Sequence, residues 1–218
     1  VKLVENTYRD INIAFANELA SIAESLHFDV HEAIELANHH PRVNILSPGP
    51  GVGGHCISVD PWFLIHAAPE ECQLIHTARQ INDQKPTVLF KQIIKLIKDF
   101  NIQAVGCLGL TYKANVDDLR ESPSLTIVKM LSESNSSDLY ICDPLIPQER
   151  IPDIPLTSLE ATIQNSELLV LLTDHKEFID IPQHILKTKY VVDCRGSWRQ
   201  HHRSVEKTVK TVITKQAA

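Results

Sequence analysis

The sequence predicts an α/β protein: a helical N-terminal part built on one long helix, followed by a Rossmann-like parallel-sheet domain. Three observations point there. Residues 2–26 carry apolar side chains at helical spacing for about seven turns, with no glycine or proline to interrupt them. From residue 86 onward helix-like and strand-like segments alternate, the pattern of a parallel sheet covered on both faces. The length of 218 residues and the 43% hydrophobic share supply an ordinary globular core.

The first helix is expected to bury its stripe (Leu3, Val4, Ile11, Ala14, Phe15, Ala16, Leu19, Ile22, Ala23 and Leu26) against other helices, including those of a second subunit. A second helix is expected near residues 29–38, ending before Pro41. Helical pattern resumes through about residue 83, and a boundary is expected at Lys85-Pro86. Two parts follow, residues 1–85 and 86–218. In the second, TVLFKQIIKLIKDF reads as a helix, IQAVGCLGL as a buried strand, and SPSLTIVKMLSES as a helix with proline near its start. DLYICDP, ELLVLLTDH and KYVVDCRG read as three further strands before a charged, polar tail.

Charge and composition exclude several classes. The net charge is −6 with no basic cluster, which removes the footprint of a nucleic-acid binder. No apolar run approaches the ~20 residues of a membrane span, and VKLVENTYRD lacks the apolar centre of a signal peptide. Five widely spaced cysteines without a CxxC argue for reduced thiols in a cytoplasm, with Cys107, Cys142 and Cys194 read as buried strand residues. The pairs His39-His40 and His201-His202 lack further ligands at a useful spacing, so no metal site is expected.

Three clusters carry chemistry. PGPGVGGHCISVDPWF, residues 48–63, holds four of the chain's seven glycines. Gly49-x-Gly51-x-x-Gly54 mimics a dinucleotide fingerprint, yet no proper strand leads into it, and Pro50 removes one of the backbone donors a pyrophosphate would need. The glycines instead permit close backbone approach to some other ligand. Cys56 follows them. If a helix starts near His55, the thiol feels the positive helix end and shares a face with Asp60, a nucleophile beside a carboxylate, with Pro61 ending or kinking that helix. The plainer reading is a buried cysteine and an exposed aspartate. In the first helix Lys2 and Asn6, at i and i+4, could together stabilise an oxyanion, or simply form a solvated face. GLTYKANVDDLRESPS, residues 109–124, follows the first strand where open α/β sheets bind ligands, and Lys113 and Arg120 there suit phosphates. It could equally be a salt-bridged surface turn.

These clusters in this order resemble the nucleotide-sugar 6-dehydrogenases, the UDP-glucose and GDP-mannose dehydrogenase family. VKLVENTYRDINIAFANEL is similar to the family's central helix, GPGVGGHCISVDPWFL to its catalytic-cysteine motif and GLTYKANVDDLRESPS to its lysine/arginine loop. The resemblance implies a dimerising helical domain over 1–85 and a UDP-binding domain over 86–218. It implies NAD-dependent, two-step oxidation of a sugar C6 alcohol to a uronate for polysaccharide biosynthesis. Cys56 would form the thiohemiacetal and thioester, Lys2 and Asn6 would hold the oxyanion, and Asp60 would assist proton movement and hydrolysis. Gly53 and Gly54 would lie against the sugar, Lys113 would contact the substrate and Arg195 a ligand. Arg42 would reach a neighbouring subunit's pocket in a homodimer, and Arg120 would reach the cofactor. The lead-in HHPRVNILSPGPGVGGHCISVDPWFL is most similar to members acting on UDP-N-acetyl-D-mannosamine, with UDP-N-acetylglucosamine and UDP-glucose as competitors. The family's NAD-binding Rossmann domain precedes the central helix, where this chain starts. The resemblance therefore covers the family's central and C-terminal parts, with no turnover expected from this chain alone. Alternatives are a non-enzymatic UDP-sugar binder, a subunit-pairing protein, or an α/β interaction domain.

Overall fold

The computed structural model describes residues 1–198. The charged tail and His201-His202 lie outside the described residues. The chain opens on α1 (Lys2–Leu26), which ends where His27 adopts a left-handed backbone with φ 59°. Next comes α2 (Val30–Ala37), whose N-terminus is capped by the Asp29 side chain accepting from the His31 and Glu32 amides. The glycine segment leads into α3 (Asp60–Ala67), and α4 (Gln73–Phe100) follows.

Two expectations are corrected here. The helical patterns on either side of Lys85-Pro86 form one helix, and Pro86 sits buried inside it. Proline costs a helix one hydrogen bond, the one that would reach the carbonyl four residues back. That carbonyl belongs to Asn82, and Gly51 packs directly against it and against the Pro86 ring. The buried positions Ala78, Arg79, Asn82, Pro86, Leu89, Ile93 and Ile97 thus make one continuous face. The stripe expected on α1 is buried only in part within this chain. Ala14, Ala16 and Ala23 of it are buried, alongside the polar Thr7, Asp10 and Asn17, while Val4, Phe15, Ile22 and Leu26 stay exposed. Small and polar side chains at the α1–α4 contact let the helices approach and join by hydrogen bonds.

The second half holds four parallel strands: β1 (Ala104–Leu108), β2 (Asp138–Cys142), β3 (Leu168–Leu171) and β4 (Tyr190–Asp193), in the order β2-β1-β3-β4. In register, Val105 stands opposite both Leu139 and Leu168, and Leu168 opposite Tyr190. Between the strands run α5 (Pro123–Ser134), α6 (Leu159–Asn165), α7 (Lys176–Ile179) and α8 (Gln183–Leu186). Alternation along β3 assigns the faces. Leu168 and Val170 pack with Ile93 and Ile97 of α4 and with Ile127, Val128 and Leu131 of α5. Leu169 and Leu171 pack on the other side with Phe178, Ile181, Leu186 and Trp198. The strands are buried on both faces, as the unbroken apolar runs predicted. Cys107 and Cys142 are interior, and burial pushes both thiols up to about 12; Cys194 lies just past β4. Because β2 and β3 flank β1, successive connections lie on opposite sides of β1, and its C-terminal end is the place where parallel α/β sheets bind ligands.

Candidate active site

The glycine segment bridges the two halves. The Gly49 amide donates to Asn17 Oδ1 on α1 at 2.9 Å, and the Gly54 amide donates to the Arg120 carbonyl in the loop after β1 at 2.9 Å. A Cβ added to Gly53 would stand 2.5 Å from Tyr112 Cβ and 2.6 Å from the Glu121 carbonyl oxygen, so only glycine fits. Gly54 lies against the Tyr112 ring. In this structure both glycines meet the protein's own loop.

Cys56 lies in the turn that follows. Its carbonyl accepts from the Asp60 amide at 2.7 Å, and α3 begins only at Asp60. The helix start expected near His55 is thus one turn early. Pro61 occupies the first turn of α3, where its missing N–H costs nothing, so it starts the helix and does not end it. The Cys56 thiol is half-buried, with its Sγ 3.7 Å from His55 Nε2.

Helix α1 brings its first turn to the same place. Asn6 Nδ2 donates to Asp60 Oδ2 at 2.7 Å, and Lys2 Nζ stands 3.2 Å from the same oxygen. The Asn6 hydrogen bond holds the Asp60 carboxyl below its usual range; burial opposes this and Lys2 adds to it. Asp60 in turn holds the Lys2 ammonium above its ordinary value, with a smaller push from Cys56. At neutral pH the site therefore presents a carboxylate and an ammonium beside a thiol. Arg120 completes the group from the loop side. Its Nη2 donates to Asp118 Oδ2 at 2.6 Å and its Nε to Asp118 Oδ1 at 3.0 Å, which holds the Asp118 carboxyl at about 2. Arg120 remains 61% exposed; its pairing with Asp118 raises its pKa, with smaller contributions from Tyr112 and Cys56 nearby.

Lys2, Asn6, Cys56, Asp60 and Arg120 are thus brought together from three segments. The other expected residues fall elsewhere. Lys113 is exposed, and its backbone carbonyl accepts from Thr111 Oγ1 at 3.0 Å. Arg195, just past β4, donates from Nε to Asp174 Oδ1 at 2.9 Å and sits beneath Gly49. Arg42 is exposed in the turn after α2, where its amide donates to His40 Nδ1 at 3.3 Å.

Sequence reasoning missed two groups. One is a buried set at the strand ends: His175 Nε2 faces Asp143 Oδ2 at 3.3 Å and Thr111 Oγ1 at 3.2 Å, and its Nδ1 accepts the Asn115 amide at 2.9 Å. Burial alone would raise the Asp143 carboxyl, but hydrogen bonds from His175, Leu110 and Leu145 outweigh it and hold the group low. A polar residue at the C-terminal end of each of two strands, in DLYICDP and ELLVLLTDH, was the available signal. The other is Tyr112, whose position inside the glycine contact no local pattern announces.

The site sets a half-buried thiol beside an ammonium–carboxylate pair and an exposed arginine, groups chemically suited to a thiol-based reaction on an anionic substrate. Comparison with known proteins narrows that chemistry. Residues 1–84 match the central domain of the UDP-glucose/GDP-mannose dehydrogenase family, and residues 106–200 match that family's UDP binding domain. The chain belongs to this family of nucleotide-sugar dehydrogenases. It is 47% identical over 185 residues to a UDP-N-acetyl-D-mannosamine dehydrogenase of Campylobacter jejuni, covering 83% of this chain and 46% of that protein. It is 44% identical over 199 residues to an NDP-N-acetyl-D-galactosaminuronic acid dehydrogenase of Ralstonia nicotianae, covering 90% and 47%. The solved UDP-D-ManNAc dehydrogenase from Pyrococcus horikoshii superposes with a TM-score of 0.81 at 35% identity, covering 96% of this chain and 49% of that one. The chain spans about half the length of these relatives. Among the described residues no helix is long and apolar enough to cross a membrane.

Proposed function

We propose that the whole protein oxidises the C6 alcohol of a UDP-N-acetylhexosamine, UDP-N-acetyl-D-mannosamine by preference, to the carboxylate, with Cys56 as covalent nucleophile. The observation that carries this reading is the convergence of Lys2, Asn6 and Asp60 beside Cys56 across 54 residues of sequence. Loss of a hydride from C6 and of the hydroxyl proton turns the alcohol into an aldehyde; Cys56 Sγ then adds to its carbonyl carbon, and Lys2 and Asn6 hold the resulting oxygen as charge develops on it. Loss of hydride and a proton from that thiohemiacetal leaves a thioester on Cys56. Asp60, kept ionised by its neighbours, orients water for hydrolysis, which releases the uronate and the thiol. NAD, when bound, supplies the acceptor for both hydrides. The exposed guanidinium of Arg120 beside Cys56 suits the cofactor's diphosphate.

Gly53 and Gly54 belong to this reading as the backbone under the sugar, Lys113 and Arg195 as contacts to the substrate, and Arg42 as a residue given to a partner subunit. The homodimer is supported by the apolar residues left exposed along α1, Phe15, Ile22 and Leu26, and by Phe28 after it. The division into a helical part over 1–85 and a nucleotide-binding part over 86–218 rests on the two family matches. A cytoplasmic location is supported by five free cysteines. The Ralstonia relative's name makes N-acetylated galactose sugars the competing substrates.

The test is NADH formation by the whole protein with UDP-N-acetyl-D-mannosamine and its epimers. Two equivalents of NADH per uronate are expected, and Cys56→Ala should lower turnover by about three orders of magnitude or more while calorimetry still shows UDP-sugar binding. Undiminished turnover in Cys56→Ala would remove the thiol from the chemistry.

A further inference from the structure

We propose that His175, a residue remote from the thiol, is a positioning residue for Cys56, acting through the loop that follows β1. The imidazole is fully buried between the ends of β1, β2 and β3. Its Nδ1 accepts the Asn115 amide proton at 2.9 Å, so the ring proton sits on Nε2, toward Thr111 Oγ1 and Asp143 Oδ2. With this single tautomer the ring fixes both sides of a tight turn. Asn115 at the tip has a left-handed backbone, φ 60°, and its side-chain oxygen accepts from the Lys176 amide at 3.1 Å. Thr111 is anchored again where its carbonyl accepts from Thr173 Oγ1 at 2.6 Å, and Leu110 where its amide donates to Asp143 Oδ2 at 2.7 Å.

Tyr112 lies between these anchors, and it carries the effect onward. Its Cβ and ring form the wall against Gly53 and Gly54, and its amide donates to the Asp118 carbonyl at 3.2 Å. Two residues beyond Asp118, the Arg120 carbonyl accepts the Gly54 amide, and Cys56 follows two residues after Gly54. The path from imidazole to thiol therefore runs through His175, the anchored loop, Tyr112 and Arg120, and the glycine segment. Loss of the anchors frees the wall against which the cysteine turn is set. A thiol displaced by an ångström loses its near-attack geometry without losing the nucleotide contacts.

The proposal rests on the dehydrogenase reading of the Cys56 cluster, so the experiment takes two readouts. Alkylation of Cys56 by iodoacetamide, followed on its peptide by mass spectrometry, asks only where the thiol sits. UDP-sugar oxidation asks whether that place matters for chemistry. His175→Leu removes both ring nitrogens at similar volume, and His175→Gln returns an acceptor and a donor. Thr111→Val is the milder second variant. Ile97→Ala, on α4 among the aliphatic residues packed on the opposite face of the sheet from Phe178, is the control for general destabilisation. Expected in His175→Leu are a change of about fivefold or more in Cys56 alkylation and a loss of about 100-fold in kcat, with KM within about threefold. His175→Gln should recover most of both, Thr111→Val should shift both less, and Ile97→Ala should shift neither. Unchanged Cys56 alkylation in His175→Leu, or an equal change in Ile97→Ala, overturns the proposal. Absent turnover in the parent protein, with the alkylation contrast intact, would overturn the dehydrogenase reading alone.

Discussion

Helix α4 packs its two halves by different chemistry. Its first half meets α1 through buried polar groups: Arg79 binds Asp10, Asn82 Nδ2 donates to Asp10 Oδ1 at 2.9 Å, and Asn17 Nδ2 donates to Asn82 Oδ1 at 3.0 Å. Lys85 is buried there as well, and burial lowers its pKa. The second half meets the sheet through Leu89, Ile93 and Ile97. Aliphatic packing is strong and tolerant of small rearrangements, since it needs volume more than direction. A buried ion-pair network gains little net stability, but it admits one alignment and penalises every other. The polar half lies where α1 carries Lys2 and Asn6 to Asp60, so register matters most there.

The largest expected effect breaks that network at its centre. Arg79 is 1% exposed and Asp10 fully buried, so Arg79→Met strands a carboxylate with only the Asn82 amide for company. The loss should be about 3–5 kcal/mol in urea unfolding. Adding Asp10→Leu should restore most of it, because the double variant buries no unpaired charge. An unchanged midpoint in the single variant would mean that the two halves of α4 are held alike.

The same contrast sets what the sequence revealed. The four strands were legible because each is a short apolar run closed by a turn signal, and a parallel sheet buried on both faces needs only that. The α1 helix was legible as a helix, but not which face it buries, since Thr7, Asp10 and Asn17 look solvated until Arg79 and Asn82 arrive from α4. Pro86 misled for a related reason: the surroundings that bury it inside α4 include Gly51, 35 positions earlier in the chain. At the site, Cys56, Asp60, Lys2, Asn6 and Arg120 were legible as residue types in motifs. The start of α3 at Asp60 was not, because the segment before it is shaped by Tyr112 and the Arg120 carbonyl. Local patterns announce elements, and partners distant in sequence decide how those elements face one another.

Two buried aspartates carry the comparison into pH. Asp10 in the helical half has its pKa raised by burial, which Arg79 only partly offsets. Asp143 in the sheet half is held low by three donors. For Asp143 the folded value lies below the unfolded 3.8, so its stabilisation is fully present above about pH 3.8 and is lost as pH falls through the folded value. For Asp10 the sign is opposite: its contribution is present below 3.8 and lost as pH rises through the folded value. Asp143→Asn should therefore cost roughly 1–3 kcal/mol at neutral pH, with the gap to the parent closing below pH 3.8 in denaturant titrations. A gap that stays constant down to pH 3 would show that the charge of Asp143 contributes nothing.

The smallest effect separates local from distant support. Ser122 caps α5 by accepting the Leu125 amide at 3.3 Å and also donates to the Leu110 carbonyl at 2.6 Å, tying the helix to the loop after β1. The sequence signalled this helix by a proline near its start, the first helical position in the structure. α3 has no such cap: Val59 stands before it without a side-chain hydrogen bond, and its start is fixed by Asn6 and Lys2 on Asp60. Ser122→Ala should cost about 1 kcal/mol, read as a lowered urea midpoint with an unchanged slope. A much larger loss would mean that the Leu110 contact outweighs the cap, and that even the most legible element of the sheet half depends on a partner distant in sequence.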